Sequence, residues 1–157
     1  MPKLSNDNRT TSLGLLNMSK DYLKAFNILE NNSDFKKGFS RDITFFLFCH
    51  GIELGLKAYL KSEKYSLNHL KSIGHDLKKL YILCKQKGIE KHLSFTQKDI
   101  TVFEQLNLYY KNKDFEYSQT GFRSYPDNLT DTYDSFYKYI GLIFNKCFES
   151  AKTERSQ

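Results

Sequence analysis

At 157 residues, 39% of them apolar, the chain is long enough for one domain that buries its own core without disulfides or metal. Its net charge of +6 is local: residues 57–91 hold nine lysines against Glu63, Asp76 and Glu90, whereas basic and acidic groups cancel over residues 111–157. Cys49, Cys84 and Cys147 have no CxxC spacing and read as small buried hydrophobes in a reducing compartment, which excludes a disulfide scaffold and offers no metal-ligand pattern; no cofactor is expected.

Residues 1–11 are polar and are expected to form a flexible arm ahead of a single domain over 12–152, with 153–157 as a tail. The arm lacks the apolar core of a signal peptide, and the densest apolar run, Ile43 to Cys49, is too short to span a bilayer, so a cytoplasmic chain without membrane contact is expected. Ser12 reads as the N-cap of a first helix to about Asn31, with Leu15, Met18, Tyr22, Ala25, Phe26 and Leu29 inward. A second helix starts between Asp34 and Ser40 and runs to about Ser62. Gly51 and Gly55 inside it each cost roughly 1 kcal/mol relative to alanine, which close approach of a neighbouring helix would offset. A polar connection from Lys61 to Ile73 leads to Gly74-His75-Asp76 and a third helix from Asp76 to about Lys87, stopped by Gly88. Thr96 to Asp99 resembles a capping box before a fourth helix with Ile100, Phe103, Leu106 and Tyr110 inward. Beyond it the helical period is lost: Phe115, Tyr117 and Phe122 alternate around a Gln119-Thr120-Gly121 turn, which predicts a short irregular hairpin. The last helix spans about Leu129 to Ala151. Its stripe of Tyr133, Phe136, Tyr137, Ile140, Ile143, Phe144 and Cys147, with Tyr139 and Phe148 beside it, is broad enough to serve a dimer interface as well as a core. The fold class expected is all-α, an up-and-down bundle of about five helices with a hairpin-like insert before the last.

The chain is organised around Phe45 to Leu80. Phe45, Phe48, Cys49, Ile52, Leu56 and Tyr59 recur at helical spacing as one apolar stripe, which places this helix in the middle of the bundle. His50, Glu53 and Lys57 recur at intervals of three and four and form a column on the same helix. A buried carboxylate costs several kcal/mol unless it is paired, so Glu53 is expected to be held by cations or donors, with His75 and Asp76 the nearest candidates. The lysines of residues 57–91 would draw phosphate-bearing partners if clustered, and would otherwise be a solvated helix face.

With these pieces in order, the chain resembles the HEPN domain family (higher eukaryotes and prokaryotes nucleotide-binding) over roughly residues 12–150. The resemblance is carried by His50, Glu53 and Lys57-Ala58 on the second helix, by His75-Asp76-Leu77 at the next turn, and by Tyr117 and Arg123-Ser124-Tyr125-Pro126 before the last helix. Ser124 interrupts the Arg-Tyr-Pro element of the family, and the insert from Lys111 to Gly121 is longer than usual. Ribonuclease members carry an arginine followed four to six residues later by a histidine. None of His50, His69, His75 and His92 stands in that relation to an arginine.

The resemblance implies a helical module that binds a nucleotide, RNA or a partner protein, without the usual ribonuclease pair and with no catalytic residue assigned. It also implies a homodimer and a nucleotidyltransferase or antitoxin partner. The binding set expected is Glu53, Lys57, His75, Asp76, Arg123 and Tyr125, with Lys57 and Arg123 on phosphate oxygens and a tyrosine ring stacked on a base. Two other readings use the same residues. A divergent metal-independent ribonuclease would employ His75 as acid or base, and a purely structural network would use the charges only to fix how the helices fit, with His75-Asp76 as a capping turn.

Overall fold

Every long helix in this chain is packed against one other, the segment Asp42–Ser62, and its composition explains why. The structure is a computed structural model that describes residues 9–38, 41–117 and 124–155, with the backbone alone at 36–38. It contains seven α-helices among the described residues: α1 (Ser12–Glu30), α2 (Ser33–Gly38), α3 (Asp42–Ser62), α4 (Leu67–Ile73), α5 (Leu77–Gln86), α6 (Gln97–Tyr110) and α7 (Thr130–Glu154), with a 3-10 turn at Ile89–Lys91. No strand occurs among them, so the fold is all-α. Helix α3 touches α1, α4, α5, α6 and α7. Fifteen of its residues are buried, Glu53 among them, so it can be apolar nearly all round. By length and composition α3 could cross a membrane, although the run from Ile43 to Cys49 alone is too short. Here 72% of its most apolar window is covered by the rest of the chain.

Helix α1 starts one residue earlier than its sequence signal. Thr11 is the N-cap and accepts the Gly14 N–H at 3.1 Å. Ser12 is free to tie the bundle instead: its hydroxyl donates to the Cys147 carbonyl at 2.9 Å and its N–H to Glu154 Oε2 at 2.8 Å, joining α1 to the end of α7. Helix α7 therefore continues past 151 to Glu154. Met18 was expected inward and is exposed, because the buried face of α1 runs through Leu15, Leu16, Ser19, Leu23 and Phe26. The single second helix expected to begin between Asp34 and Ser40 is two. Asn32 accepts the Phe35 N–H at 2.8 Å and opens α2 by itself, and α3 begins afresh after Arg41, which turns back to Glu30 at 3.0 Å. The polar connection before Gly74 holds α4, capped by Ser66 on the His69 N–H at 3.2 Å.

The capping box is present at α6. Thr96 accepts from the Asp99 N–H and Asp99 Oδ2 accepts from the Thr96 N–H. Asp99 is itself buried and takes the Thr132 hydroxyl at 2.6 Å, so the same carboxylate docks α7. The expected hairpin is replaced over residues 111–117 by consecutive turns, with Phe115 buried against Phe45 and Tyr109. Gln119, Thr120, Gly121 and Phe122 lie outside the described residues. All three cysteines are buried.

Both α3 glycines are explained by close approach. A Cβ on Gly51 would lie 2.8 Å from Leu23 of α1, and one on Gly55 would lie 2.7 Å from the Phe136 ring of α7 and 2.9 Å from Ser19 Oγ. The gap at Gly51 is closed by Ser19, whose hydroxyl donates to the Gly51 carbonyl at 2.6 Å. Gly55→Ala is expected to destabilise the fold by about 1–3 kcal/mol despite its better helix propensity, since the Phe136 ring cannot retreat without moving α7. Thermal unfolding checks this, at about 2–4 °C for each kcal/mol in a domain of this size.

Candidate functional site

The carboxylate of Glu53 is 3% exposed and both its oxygens are occupied. Lys57, one turn on along α3, donates to Oε1 at 2.5 Å. Oε2 receives the His75 Nδ1 hydrogen at 2.9 Å and the Tyr110 hydroxyl hydrogen. Tyr110 closes α6, so one carboxylate collects donors from α3, from the turn before α5 and from α6. The Tyr110 oxygen, having donated its hydrogen, accepts from His50 Nδ1 at 2.8 Å. His50 Nδ1 is also 3.6 Å from Oε2, too far for a hydrogen bond but close enough for charge to act.

These contacts fix the tautomers. An ionised carboxylate only accepts, so His75 must carry its hydrogen on Nδ1, and the Tyr110 oxygen sets the same for His50. Nε2 is then the remaining polar atom of each ring, on side chains 30% exposed at His75 and 20% at His50. The His50 ring is further fixed by stacking on Phe46, with centroids 5.5 Å apart, and by the edge of Tyr22 at 4.6 Å. Burial alone would raise the Glu53 carboxyl, but the His50 imidazole, the Lys57 ammonium and the Tyr110 hydroxyl outweigh it and hold the group well below the usual carboxylate range. Burial and the adjacent Glu53 charge push the Tyr110 phenol far up, so it remains a donor at any ordinary pH.

Gly74 makes this placement possible. Its φ of 68° with ψ of −134° is a conformation that residues with a Cβ rarely adopt, and it swings the chain from α4 so that His75 faces α3. Asp76 does something different. It caps α5 on the Lys79 N–H at 3.0 Å and accepts from Asn107 Nδ2 at 3.0 Å, while Asn107 Oδ1 accepts the Leu77 N–H at 2.9 Å. Burial opposes ionisation of Asp76, but the Lys79 N–H, the Asn107 amide and the Lys111 charge hold its carboxyl low. It is a clamp between α5 and α6 that holds the base of the His75 turn.

The expected site is thus only partly assembled. Glu53, Lys57 and His75 meet directly, and Asp76 stands behind His75. Tyr125 does not join them: its hydroxyl donates to Asp42 Oδ1 at 2.5 Å and its ring stacks on Phe45 at 4.5 Å. Asp42 is eleven residues before Glu53, about 16 Å along α3. Arg123 lies outside the described residues. Lys57, expected on phosphate oxygens, is 13% exposed and already spent on Glu53. The lysine surplus of residues 57–91 is likewise reduced from outside the stretch, with Lys78 on Glu104 at 2.9 Å, while Lys85 pairs within it on Glu90 at 3.2 Å. Tyr110 and Asn107 were missed as site residues, and His50 was placed in the column but not in the site. The available signal was Asn107 next to the inward stripe of α6, three residues before Tyr110, a polar side chain among Val102, Phe103 and Leu106.

Removing the carboxylate tests its weight. Glu53→Ala leaves the Lys57 ammonium buried without its partner and is expected to cost about 3–5 kcal/mol of stability. The pH dependence has a definite sign. Because the folded carboxyl is depressed below its ordinary value of 4.5, the unfolded chain binds the proton first, so acid favours unfolding. The stability gap between the wild type and Glu53→Gln, measured by denaturant titration at successive pH values, should be full above that value and narrow steadily below it.

No protein-family model, curated protein or solved structure matches this chain, so the functional reading rests on this geometry and on the motif resemblance.

Proposed function

We propose that the chain is a HEPN-like helical module that binds a phosphate-bearing ligand, a nucleotide or RNA, at the patch over Glu53, without turning it over. One observation carries this reading: two imidazoles, His50 and His75, have their Nδ1 atoms drawn inward by the Glu53–Tyr110 pair, which leaves Nε2 of each as the polar atom available to a ligand. In a protonated ring Nε2–H becomes a charged donor while Nδ1–H stays engaged inward, and such a donor suits phosphate oxygens. Phe46 and Tyr22 against His50 supply ring surface on which a base can stack. Glu53 itself is 3% exposed with both oxygens engaged, so it stands behind the patch rather than at its surface. A nucleotidyltransferase or antitoxin partner, which the resemblance implies, would engage the chain as a whole.

A second reading, the divergent metal-independent ribonuclease, is favoured by the same pair. Both Nδ1 atoms lie close to Glu53 Oε2, at 3.6 Å and 2.9 Å, which keeps them within about 6.5 Å of each other. Two neighbouring imidazoles can serve RNA cleavage, the Nε2 of one taking the proton of a 2′-hydroxyl and the Nε2 of the other, in its protonated form, giving a proton to the departing 5′-oxygen. The binding module is preferred because the usual arginine–histidine pair is absent from the sequence.

The deciding experiment titrates labelled single-stranded RNA and ATP with the wild type and with His75→Ala, and follows RNA length over time. His75→Ala leaves Glu53 with Lys57 and Tyr110, so the variant should fold. Salt-sensitive binding that weakens about tenfold or more in the variant, with RNA intact, is the expected result. Shortening of RNA that stops in both His50→Ala and His75→Ala would establish the ribonuclease instead. Absence of binding to either ligand at low salt would leave the network as a structural one.

A further inference from the structure

A cavity of about 310 Å³ opens between α1 and α7, and no member of the Glu53 network lines it. Its floor is apolar: Leu16 of α1 and Ile140 of α7 are buried beneath it. Phe144 forms a wall, its ring held by stacking on Phe148 with centroids 6.1 Å apart. The rim is polar. Asn17 and Lys20 stand on α1, three residues apart, and Asn145 stands on α7 beside Phe144. The side chains of these three make no hydrogen bond or ion pair with any described residue, so their polar groups are available to a ligand.

Gly141 keeps the cavity open. It lines the cavity from inside a helix of 25 residues, where glycine is unfavourable, and a Cβ there would meet nothing within 4 Å among the described residues. Gly51 and Gly55 are required by the Leu23 and Phe136 side chains that press on them, whereas alanine would fit at 141 and would favour the helix. What a side chain at 141 would take away is cavity. Ile140, Gly141, Phe144 and Asn145 share one face of α7, so the missing side chain, the apolar floor and a polar rim group all belong to the same surface.

We propose that this cavity binds an amphipathic monocarboxylate, with an apolar body the size of two fused rings and a single anionic head. Size sets the body. An apolar cavity of about 150 Å³ holds one benzene ring, so a space of about 310 Å³ takes two. Charge sets the head: Lys20 supplies one ammonium, which matches one carboxylate rather than the dianion of a phosphate monoester, and the Asn17 and Asn145 amides add neutral donors. The apolar body supplies most of the affinity on the floor, and the rim orients the head toward solvent. The site is built from α1 and α7 alone, so the inference is independent of the ligand assigned to the Glu53 patch.

The test is a titration of naphthylacetate with the full chain, followed by the naphthyl fluorescence, which the absence of tryptophan leaves clear. Saturable binding at ligand concentrations up to about millimolar is expected. Lys20→Met should weaken it about tenfold while leaving the binding of uncharged naphthylacetamide unchanged. Gly141→Leu places a side chain where no described atom lies within 4 Å of its Cβ, and it should abolish the binding of both ligands. Its helical circular dichroism should be retained and its thermal unfolding no lower than that of the wild type, which separates a filled cavity from a damaged fold. His75→Ala should bind naphthylacetate as the wild type does, so this site and the Glu53 patch are read separately. The proposal is overturned by absence of saturation, by Gly141→Leu binding as tightly as the wild type, or by Lys20→Met leaving the preference for the carboxylate over the amide unchanged.

Discussion

The arrangement of the central helices depends on one buried carboxylate. Glu53 sits on the most enclosed helix of the bundle, where an unpaired charge would cost more than most side chains contribute to stability. Its solution is to be the common acceptor of donors from three elements: Lys57 on α3, His75 from the turn before α5 and Tyr110 from the end of α6. Each donor gains from the others, because the ion pair with Lys57 keeps the carboxylate charged and a charged acceptor binds the imidazole and the phenol more strongly. The geometry therefore fixes the rotation of α3 relative to α5 and α6 as well as neutralising a charge.

On its other sides α3 is positioned by the absence of side chains. Gly51 and Gly55 let Leu23 of α1 and Phe136 of α7 reach the α3 backbone, and Ser19 seals the approach with a hydrogen bond to the Gly51 carbonyl. Polar donors hold one side of the helix and glycine contacts the other, so α3 has little freedom to rotate. The second polar assembly, in which Asp76 and Asn107 each bridge α5 and α6, keeps the His75 turn at the correct height over Glu53. Gly74 supplies the backbone conformation that neither assembly could impose on another residue.

This division explains which parts could be read in the sequence. The helical class, the centrality of α3, the α6 capping box and the need for partners at Glu53 follow from periodicity and from the cost of a buried charge, both of which are local properties. His75 was accessible for the same reason, as the nearest titratable group beyond the connection. Tyr110 was not, because a tyrosine on an inward stripe serves equally well as core, and only the packing of α6 on α3 brings its hydroxyl to the carboxylate. Tyr125 illustrates the opposite error. Motif order suggested a site residue, yet the chain after α6 returns to the start of α3, so the ring stacks on Phe45 and its hydroxyl meets Asp42. The breaks between α2 and α3 and around α4 were obscured because short helices depend on single caps, Asn32 and Ser66, that look like ordinary loop residues.

The same network bears on what a ligand at this patch would experience. Binding at Nε2 of His75 or His50 polarises a chain of hydrogen bonds that ends on Glu53, and Glu53 is joined to α3, α5 and α6 at once. Ligand contact would therefore be transmitted to the packing of three helices without any large movement, because the donors are already in place. A scaffold built only for stability would be served as well by apolar residues of similar volume, which avoid the desolvation of Glu53 and Lys57 altogether. Retaining two partly exposed imidazoles against this carboxylate gives the bundle something those residues cannot, polar ring atoms whose orientation is set from inside the core. That asymmetry, an inward side engaged by the buried carboxylate and an outward side with the Nε2 of each ring, is the observation behind the binding proposal.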